Sequence, residues 1–279
     1  MWRIIVITVL GWAAASQAEI VRVATWNMEW FPGKNPTSSL SDRVIHMSEA
    51  KEALLDLDPD ILCVQEIRDW QSFEELASIL PRLQPLVVSR FRQMGNNGPI
   101  TIQQTGVAAK QAGSMAWSEA FKPEGSRPPR GFSFAAVPFG RSILLIYSIH
   151  LKSNRGGLEE NFGKREEAAR QIISHVKDME RAYSSSSSVV TVIAGDFNTD
   201  PTDPRFASER TAEILEGEFQ WAWKGIPLAD RITLPASGRY PDASFDGFFV
   251  RGGEILSCEP ANASGGGDHL PVMLTLKIP

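Results

Sequence analysis

Short apolar runs recur along the whole chain and predict β-strands. They cover residues 20–26, 60–65, 86–91, 105–109, 132–137, 143–149, 189–194, 245–250 and 272–278. Several of these runs are continuous apolar blocks, which are typical of strands covered by other elements on at least one face.

Helical periodicity separates some of the strands. The clearest helical repeat consists of Val44, Met47, Ala50, Leu54 and Leu57. Two further segments, residues 70–80 and 165–179, have the same three-to-four spacing of apolar positions. In the first of these, Ser72 and Glu75 follow Asp69 and match the spacing of a capping box.

The order of elements predicts an α/β fold. Two strand–helix units are followed by a run of strands, then by helix, strand, helix and more strands. This order favours two mixed sheets packed face to face with helices outside, an α/β/β/α four-layer sandwich. Residues 19–279 are long enough to form it as one domain. We find no glycine-rich dinucleotide or P-loop motif.

Residues 1–18 are interpreted as a signal peptide. Arg3 precedes an apolar stretch, and the small residues Ser16 and Ala18 predict cleavage before Glu19. The stretch is shorter than the roughly 20 residues that span a bilayer. We therefore expect a secreted or periplasmic monomer without stable membrane insertion. An uncleaved anchor or a buried first strand is the alternative.

Charge and cysteine content narrow the classes of function. The net charge is −5, so long-range attraction to a polyanion is not expected. A metalloenzyme stays compatible with this charge, because a bound cation supplies positive charge locally. Two cysteines, Cys63 and Cys258, are too few for a disulfide scaffold. Cys63 lies in an apolar run and is interpreted as a buried hydrophobic residue, although pairing remains open.

Polar side chains follow several strands at the point where each strand ends. These strand-end residues are Asn27, Glu29, Glu66, His150, Lys152, Asn154, Asp196 and Asn198, and Asp268 and His269 precede the last strand. Strand ends that converge on one sheet edge can hold catalytic groups rigidly. Carboxylates and amides suit a hard divalent cation.

Six short motifs carry a family resemblance. They are Ala24-Thr25-Trp26-Asn27, Val64-Gln65-Glu66, His150-Leu151-Lys152-Ser153, Gly195-Asp196-Phe197-Asn198, Phe245-Asp246-Gly247-Phe248-Phe249 and Asp268-His269-Leu270-Pro271. In type and order they resemble the endonuclease/exonuclease/phosphatase superfamily. That superfamily includes DNase I-like nucleases, apurinic endonucleases, inositol polyphosphate phosphatases and neutral sphingomyelinases. The resemblance implies the four-layer sandwich and a magnesium-assisted in-line attack of water on phosphorus.

The oxygen donors divide into metal ligands and catalytic groups. Glu66 is the expected ligand of Mg²⁺, or of Mn²⁺, with Asn27 in support and Asp268 ligating directly or through water. Asp196 is expected to deprotonate or orient the attacking water, and Asn198 to donate to a phosphate oxygen. The structural alternative is an Asx turn, in which both side chains only satisfy backbone N–H groups.

Two histidines are expected in the site. His269 would contact the scissile phosphate, while Asp246 accepts a hydrogen bond from its other ring nitrogen and favours the charged imidazole. His150 would be the second imidazole, as in the DNase I-like and phosphatase branches. Some relatives pair it with an acid from a middle strand, but residues 87–91 contain none.

At some positions the sequence differs from the family pattern, and at others the role of the residue is open. Gly267 replaces the usual serine before the Asp-His pair and follows two more glycines, which suggests a looser loop. Glu29 stands where some relatives carry an acid near the cation, and its role is open. His46 and His175 fall in helical segments and are expected at the surface.

The expected substrate is DNA or RNA, cut at its phosphodiester bonds. Lys152 and Asn154 would bind flanking phosphate. The expected recognition loops are residues 93–99 and 121–129, with Arg127 and Arg130. The alternative is a phosphatase or phospholipase that acts on an inositol phosphate, a nucleotide or a sphingolipid, because the same core serves both. A non-catalytic binding protein is disfavoured, because the core polar set is intact.

Overall fold

The fold is described by a computed structural model covering residues 18–95, 98–100, 103–186, 188–238, 240–261 and 266–279. The predicted signal peptide lies outside the described residues except for Ala18. Within the described ranges, no helix combines the length and apolar character needed to cross a membrane.

Fourteen strands and four α-helices make up the described chain. The strands are β1 (Glu19–Phe31), β2 (Ile61–Ile67), β3 (Gln84–Val88), β4 (Gln93–Gly95), β5 (Gly98–Ile100), β6 (Gln104–Ala109), β7 (Met115–Ala120), β8 (Gly131–Phe139), β9 (Ser142–His150), β10 (Ser188–Asp196), β11 (Gln220–Trp221), β12 (Asp246–Arg251), β13 (Glu254–Pro260) and β14 (Val272–Ile278). The helices are α1 (Leu40–Leu57), α2 (Trp70–Ala77), α3 (Leu158–Ala182) and α4 (Thr211–Glu216).

Two six-stranded mixed sheets form the centre of the molecule. The first has the order β13-β14-β1-β2-β6-β3, the second β11-β12-β10-β9-β8-β7, and β4 and β5 form a separate pair. β1 and β2 are parallel, as are β9 and β10, while the other pairs in both sheets are antiparallel. Apolar residues of α1 and α2 pack on the first sheet, and those of α3 and α4 join the core of the second. The predicted four-layer sandwich is confirmed.

Alternation along β1 directs its residues to two different cores. Val21 and Val23 pack in the core shared by the two sheets, whereas Ala24 and Trp26 pack with α1 and α2. Because side chains along a strand alternate between faces, Asn27 belongs to the face that meets the second sheet. This position brings a polar side chain to the end of the inter-sheet core.

Buried hydrogen bonds join the sheets near the strand ends. Gln65 Nε2 on β2 donates to Ser148 Oγ on β9 over 3.0 Å. Ser148 Oγ in turn donates to the carbonyl oxygen of Val64, also over 3.0 Å. Apolar contacts tolerate sliding, but directional hydrogen bonds do not. The two sheets are therefore held in one register close to the polar strand ends.

The predicted capping box of α2 is wrong. Asp69 is the N-cap residue, and its side chain accepts from the backbone N–H of Ser72 over 2.8 Å. Ser72 therefore lies in the first turn of the helix and does not cap it. A capping box is found instead at α1, where Ser39 and Asp42 bond each other's backbone N–H groups.

The prediction lacks β4, β5 and β11, which have three residues or fewer, and two longer strands, β7 and β13. Both longer strands lie at a sheet edge, and most of their side chains are half-buried or exposed. An edge strand with no fully covered face has neither an apolar block nor a clear alternation in its sequence.

The two helical histidines do not lie at the surface, so that prediction is also wrong. His46 is 1% exposed. His175 is half-buried, with its ring against Trp117 and Phe134 and its Nδ1 2.9 Å from the Tyr147 hydroxyl. Each imidazole lies on an inward-facing side of its helix, where residue type alone does not indicate burial.

Candidate active site

The polar strand ends open on one large cleft of about 950 Å³. Nine of the predicted site residues line it: Asn27, Glu66, His150, Lys152, Asn154, Asp196, Asn198, Asp268 and His269. The tenth, Asp246, lies behind His269 and contacts its ring. The structure therefore brings the whole predicted set together, while the catalytic role of each residue stays a prediction.

Asp196, at the end of β10, is oriented from two sides. Its Oδ2 accepts from Asn27 Nδ2 across the sheet interface over 3.0 Å, and its Oδ1 accepts from the Asn198 N–H over 2.8 Å. The second bond is the Asx turn considered above, and the first goes beyond it. Burial and the neighbouring Asp246 raise the pKa of Asp196 to about 7. Such a carboxylate exchanges a proton near neutral pH.

His269 and Asp246 form a buried pair. His269 Nδ1 donates to Asp246 Oδ2 over 2.7 Å. Burial alone would lower the pKa of His269, but the charge and hydrogen bond of Asp246 raise it to about 10. The ring is thus positively charged at neutral pH. Its Nε2 is 4.0 Å from the exposed Asp268 Oδ1 and is available as a charged donor at the cleft.

His150 is the neutral histidine of the site. Its Nε2 lies 3.5 Å from Asp196 Oδ2 and 3.8 Å from Glu66 Oε1. Burial, followed by the positive charges of Arg130 and His269, lowers its pKa well below the ordinary value. Its Nδ1 is buried and has no hydrogen-bond partner in the described part of the chain. Because Nε2 faces two carboxylates, we place the ring hydrogen there.

Glu66 reaches the cleft through an unusual backbone conformation. Regular alternation would place it on the same face as Val64, whose side chain packs on the helices. Its φ of +59° and the register shift between β2 and β6 interrupt that alternation. Glu66 Oε2 accepts from the Trp30 N–H over 3.1 Å. Burial raises the pKa of Glu66, and the charge of Arg130 partly offsets the effect.

Three of the carboxyl groups that line the cleft have raised pKa values. Burial and the charge of Asp268 raise the pKa of Glu29 to about 7, in addition to the raised pKa values of Glu66 and Asp196. Carboxylates held close together in low dielectric resist ionisation. A divalent cation reverses this effect, so the donor set fits a hard cation.

Two groups of residues compete as the cation site. Ligand atoms of Asp196, Asp246 and His269 lie within 4.8 Å of one another. His269, however, offers an imidazole nitrogen, and its Nδ1 already donates to Asp246, whereas a hard cation such as Mg²⁺ prefers oxygen ligands. Glu66, with Asn27 and Asp268 beside the same cleft, offers hard oxygen atoms. The chemistry therefore favours the Glu66 group.

Lys152 is turned onto its own loop. Its Nζ donates to the carbonyl oxygens of Ser153 and Arg155, over 2.8 Å each. Burial and the nearby Arg130 lower the pKa of Lys152. It lines the cleft and can reach a phosphate only by exchanging these bonds.

Asn154 supports Asn198 through its backbone. Asn154 Nδ2 donates to the Asn198 carbonyl oxygen over 3.0 Å, and Asn154 Oδ1 accepts from Arg165 Nη1 over 3.0 Å. Arg165 is fully buried and paired with Glu209. Asn198 has a φ of +55° and donates from its side chain to the Leu151 carbonyl oxygen over 3.3 Å. Asn154 thus holds Asn198 in place in this structure.

The sequence predicts Arg130 in a recognition loop, but the structure places it beside the predicted site residues His150, Glu66 and Asp196. Its Nη1 donates to the carbonyl oxygens of His150 and Leu151, over 3.1 and 2.9 Å. Its charge acts on Glu66, His150 and Asp196. A lone arginine after a proline-rich segment gives no sequence signal for this role. Residues 96 and 97 of the other expected recognition loop lie outside the described residues.

Solved structures share this architecture. An endonuclease/exonuclease/phosphatase from Bacteroides vulgatus has 20% identity and a TM-score of 0.68, covering 94% of this chain and 100% of that one. One from Beutenbergia cavernae has 17% identity and a TM-score of 0.67, covering 93% and 72%. TDP2 from C. elegans has 15% identity and a TM-score of 0.62, covering 92% and 75%. At these identities the similarity establishes the fold.

The family follows from the sequence itself. The model of the endonuclease/exonuclease/phosphatase family matches residues 24–269, which include all ten predicted site residues. This chain belongs to that family, whose members are phosphoester hydrolases. A search of curated proteins finds no significant match.

The charge state of His269 gives a direct test of the site. In metal-free protein we expect the ring to stay protonated up to about pH 10. Asp246→Asn removes the stabilising charge, so the pKa should fall to 6.5 or below in an NMR titration of the ring. Because the folded pKa is raised, the pair's contribution to stability is full below about pH 6.5 and is lost as pH rises through 10. The exposed Asp178→Asn is the control, and an unshifted titration in Asp246→Asn would contradict this assignment.

Proposed function

We propose that this protein is an exported, Mg²⁺-dependent nuclease that hydrolyses phosphodiester bonds in DNA or RNA. The family fixes phosphoester hydrolysis as the reaction, and the charge distribution in the cleft supports a polyanionic substrate. Export is supported by the predicted cleavage site before Glu19. Mass spectrometry of protein from the medium or periplasm should find Glu19 as the first residue, and retention of Met1 would reject cleavage.

The observation that carries this proposal is a concentration of basic residues around the acidic centre. Eight of them line the cleft: Lys34, Arg92, Arg127, Arg130, Lys152, Arg155, Lys164 and Arg205. The chain as a whole has a net charge of −5, so this local excess is not a consequence of composition. A substrate with phosphates on both sides of the scissile bond would use it, whereas a small monoester would contact only part of it.

Different residues of the cleft would hold the cation, handle the attacking water and neutralise charge on the phosphate. A divalent cation held by Glu66, with Asn27 and Asp268 alongside, would neutralise charge on the phosphate. Asp196, oriented by Asn27, accepts a proton from the attacking water or aligns that water. The charged Nε2–H of His269 donates to a non-bridging phosphate oxygen.

A substrate panel tests both the class of substrate and the metal. Plasmid DNA, RNA, p-nitrophenyl phosphate and sphingomyelin are compared with Mg²⁺, with Mn²⁺ and after EDTA and dialysis. We expect cleavage of nucleic acid only with metal, because oxygen ligands hold the cation. Asp196→Asn should lower kcat by roughly 10²–10⁴-fold, the contribution of a positioned acid–base group, while the exposed Glu52→Gln should not. Full turnover without metal, or faster turnover of the monoester or the lipid, would overturn the proposal.

The arginines at the rim of the cleft test polyanion recognition. Arg127 and Arg155 are exposed, and neither guanidinium has an ion pair or hydrogen bond within the described ranges. Arg127→Ala and Arg155→Ala should each raise KM for DNA and reduce the slope of log binding against log salt by about 1. Arg181→Ala, an exposed position on α3 that does not line the cleft, is the matched control. Equal slopes in all three variants would remove these arginines from substrate binding.

A further inference from the structure

His46 on α1 joins two segments that are distant in sequence. Its Nδ1 accepts from the Gly33 N–H over 2.8 Å, and its Nε2 is 2.9 Å from the Gly266 carbonyl oxygen. A backbone N–H can only donate and a carbonyl can only accept, so the ring must be neutral with its hydrogen on Nε2. Burial lowers the pKa of His46 and agrees with this neutral form.

Both partner segments enter the active site. Gly33 follows the end of β1, where Glu29 and Trp30 line the cleft. Gly266 is two residues before Asp268 and three before His269. Phe31 packs against the His46 ring in an edge-on arrangement, at 5.0 Å and 77°, which fixes the orientation of the imidazole. The ring therefore joins the segment that carries Glu29 to the segment that carries Asp268.

Gly266 and Gly267, called the glycine loop below, pack closely against β1, contrary to the looser loop expected from the composition. A Cβ atom at Gly266 would overlap the indole ring of Trp26. Gly267 has a φ of +140°, which L-residues rarely adopt. Trp26 Nε1 donates to the His269 carbonyl oxygen over 3.2 Å. In the described part of this loop, the lack of a side chain at Gly266 allows the backbone to approach Trp26. The resulting contacts restrict the conformational freedom of the loop.

We propose that His46 is a positioning residue of the hydrolase site, which clamps the glycine loop carrying Asp268 and His269 onto the end of β1. His46 does not line the cleft, so it acts through the residues that it holds. This positioning would serve the hydrolysis of any phosphoester that the protein cleaves.

Two conservative variants separate the two hydrogen bonds of His46. In His46→Asn the side-chain oxygen can still accept from Gly33, but the amide cannot reach Gly266. In His46→Gln the longer amide can still donate to Gly266. We expect His46→Asn to lose about tenfold or more in kcat/KM on bis(p-nitrophenyl) phosphate, since a misplacement of 1 Å can cost roughly 100-fold. His46→Gln should stay within about threefold of the wild type.

A second variant, Gly266→Ala, and an NMR readout test the proposal without relying on the activity assay alone. Gly266→Ala displaces the loop from Trp26 without changing α1, and its loss should not add to that of His46→Asn, because both release one loop. In metal-free protein, the NMR signal of the His269 Nδ1–H should shift in both variants. This shift of the His269 signal is expected whether or not the protein is a nuclease.

His175 supplies the matched control, as a partly buried helical histidine in the opposite layer. His175→Gln should lower the melting temperature without moving kcat/KM or the His269 signal. Folded His46→Asn with an unchanged His269 signal and unchanged kcat/KM would overturn the proposal. Equal losses in the Asn and Gln variants would overturn it too.

Discussion

The active site depends on hydrogen bonds that cross from one sheet to the other. Asn27 and Glu66 belong to the first sheet, whereas His150 and Asp196 belong to the second. Apolar packing between sheets fixes their separation better than their register. The bond from Asn27 to Asp196, together with the bond from Gln65 to Ser148 beneath it, defines the register. A catalytic set divided between two sheets requires such directional contacts, because tolerances in these sites are well below 1 Å.

Neighbouring charged groups give the two histidines of the site different charge states. Asp246 keeps His269 protonated, and Arg130 helps to keep His150 neutral. Two imidazoles in one cleft therefore differ in charge at neutral pH, because one has a carboxylate behind it and the other a guanidinium. The pKa values of Glu29 and Asp196 are raised, which means that their charged forms are disfavoured in the metal-free cleft. A bound cation would stabilise these charged forms. Basic residues also line the cleft, so the proposed polyanionic substrate would meet local positive charge on a protein whose net charge is −5.

The sequence predicts which residues form the site better than it predicts how these residues are arranged. The strand ends could be predicted because apolar runs stop abruptly at residues such as His150 and Asp196. Their proximity could be predicted because neighbouring parallel strands end side by side. The sequence did not reveal contacts between distant segments. His46 looked like any helical histidine, and Arg130 like a loop residue, because their roles come from bonds to backbone atoms far along the chain. Edge strands such as β13 were missed because half-exposed side chains have little pattern.

Backbone conformation explains what simple strand alternation cannot. Glu29, Trp30, Glu66 and Asn198 all have positive φ, between +42° and +59°, at a cost on the order of 1–3 kcal/mol each for non-glycine residues. All four line the cleft. Such conformations persist only where neighbouring contacts determine them. The Trp30 N–H is bound by Glu66, and the Asn198 carbonyl is held through Asn154. Trp30 and Asn198 are thus held in their strained conformations by hydrogen bonds from neighbouring residues, so the bonds that stabilise this backbone also make this part of the cleft rigid.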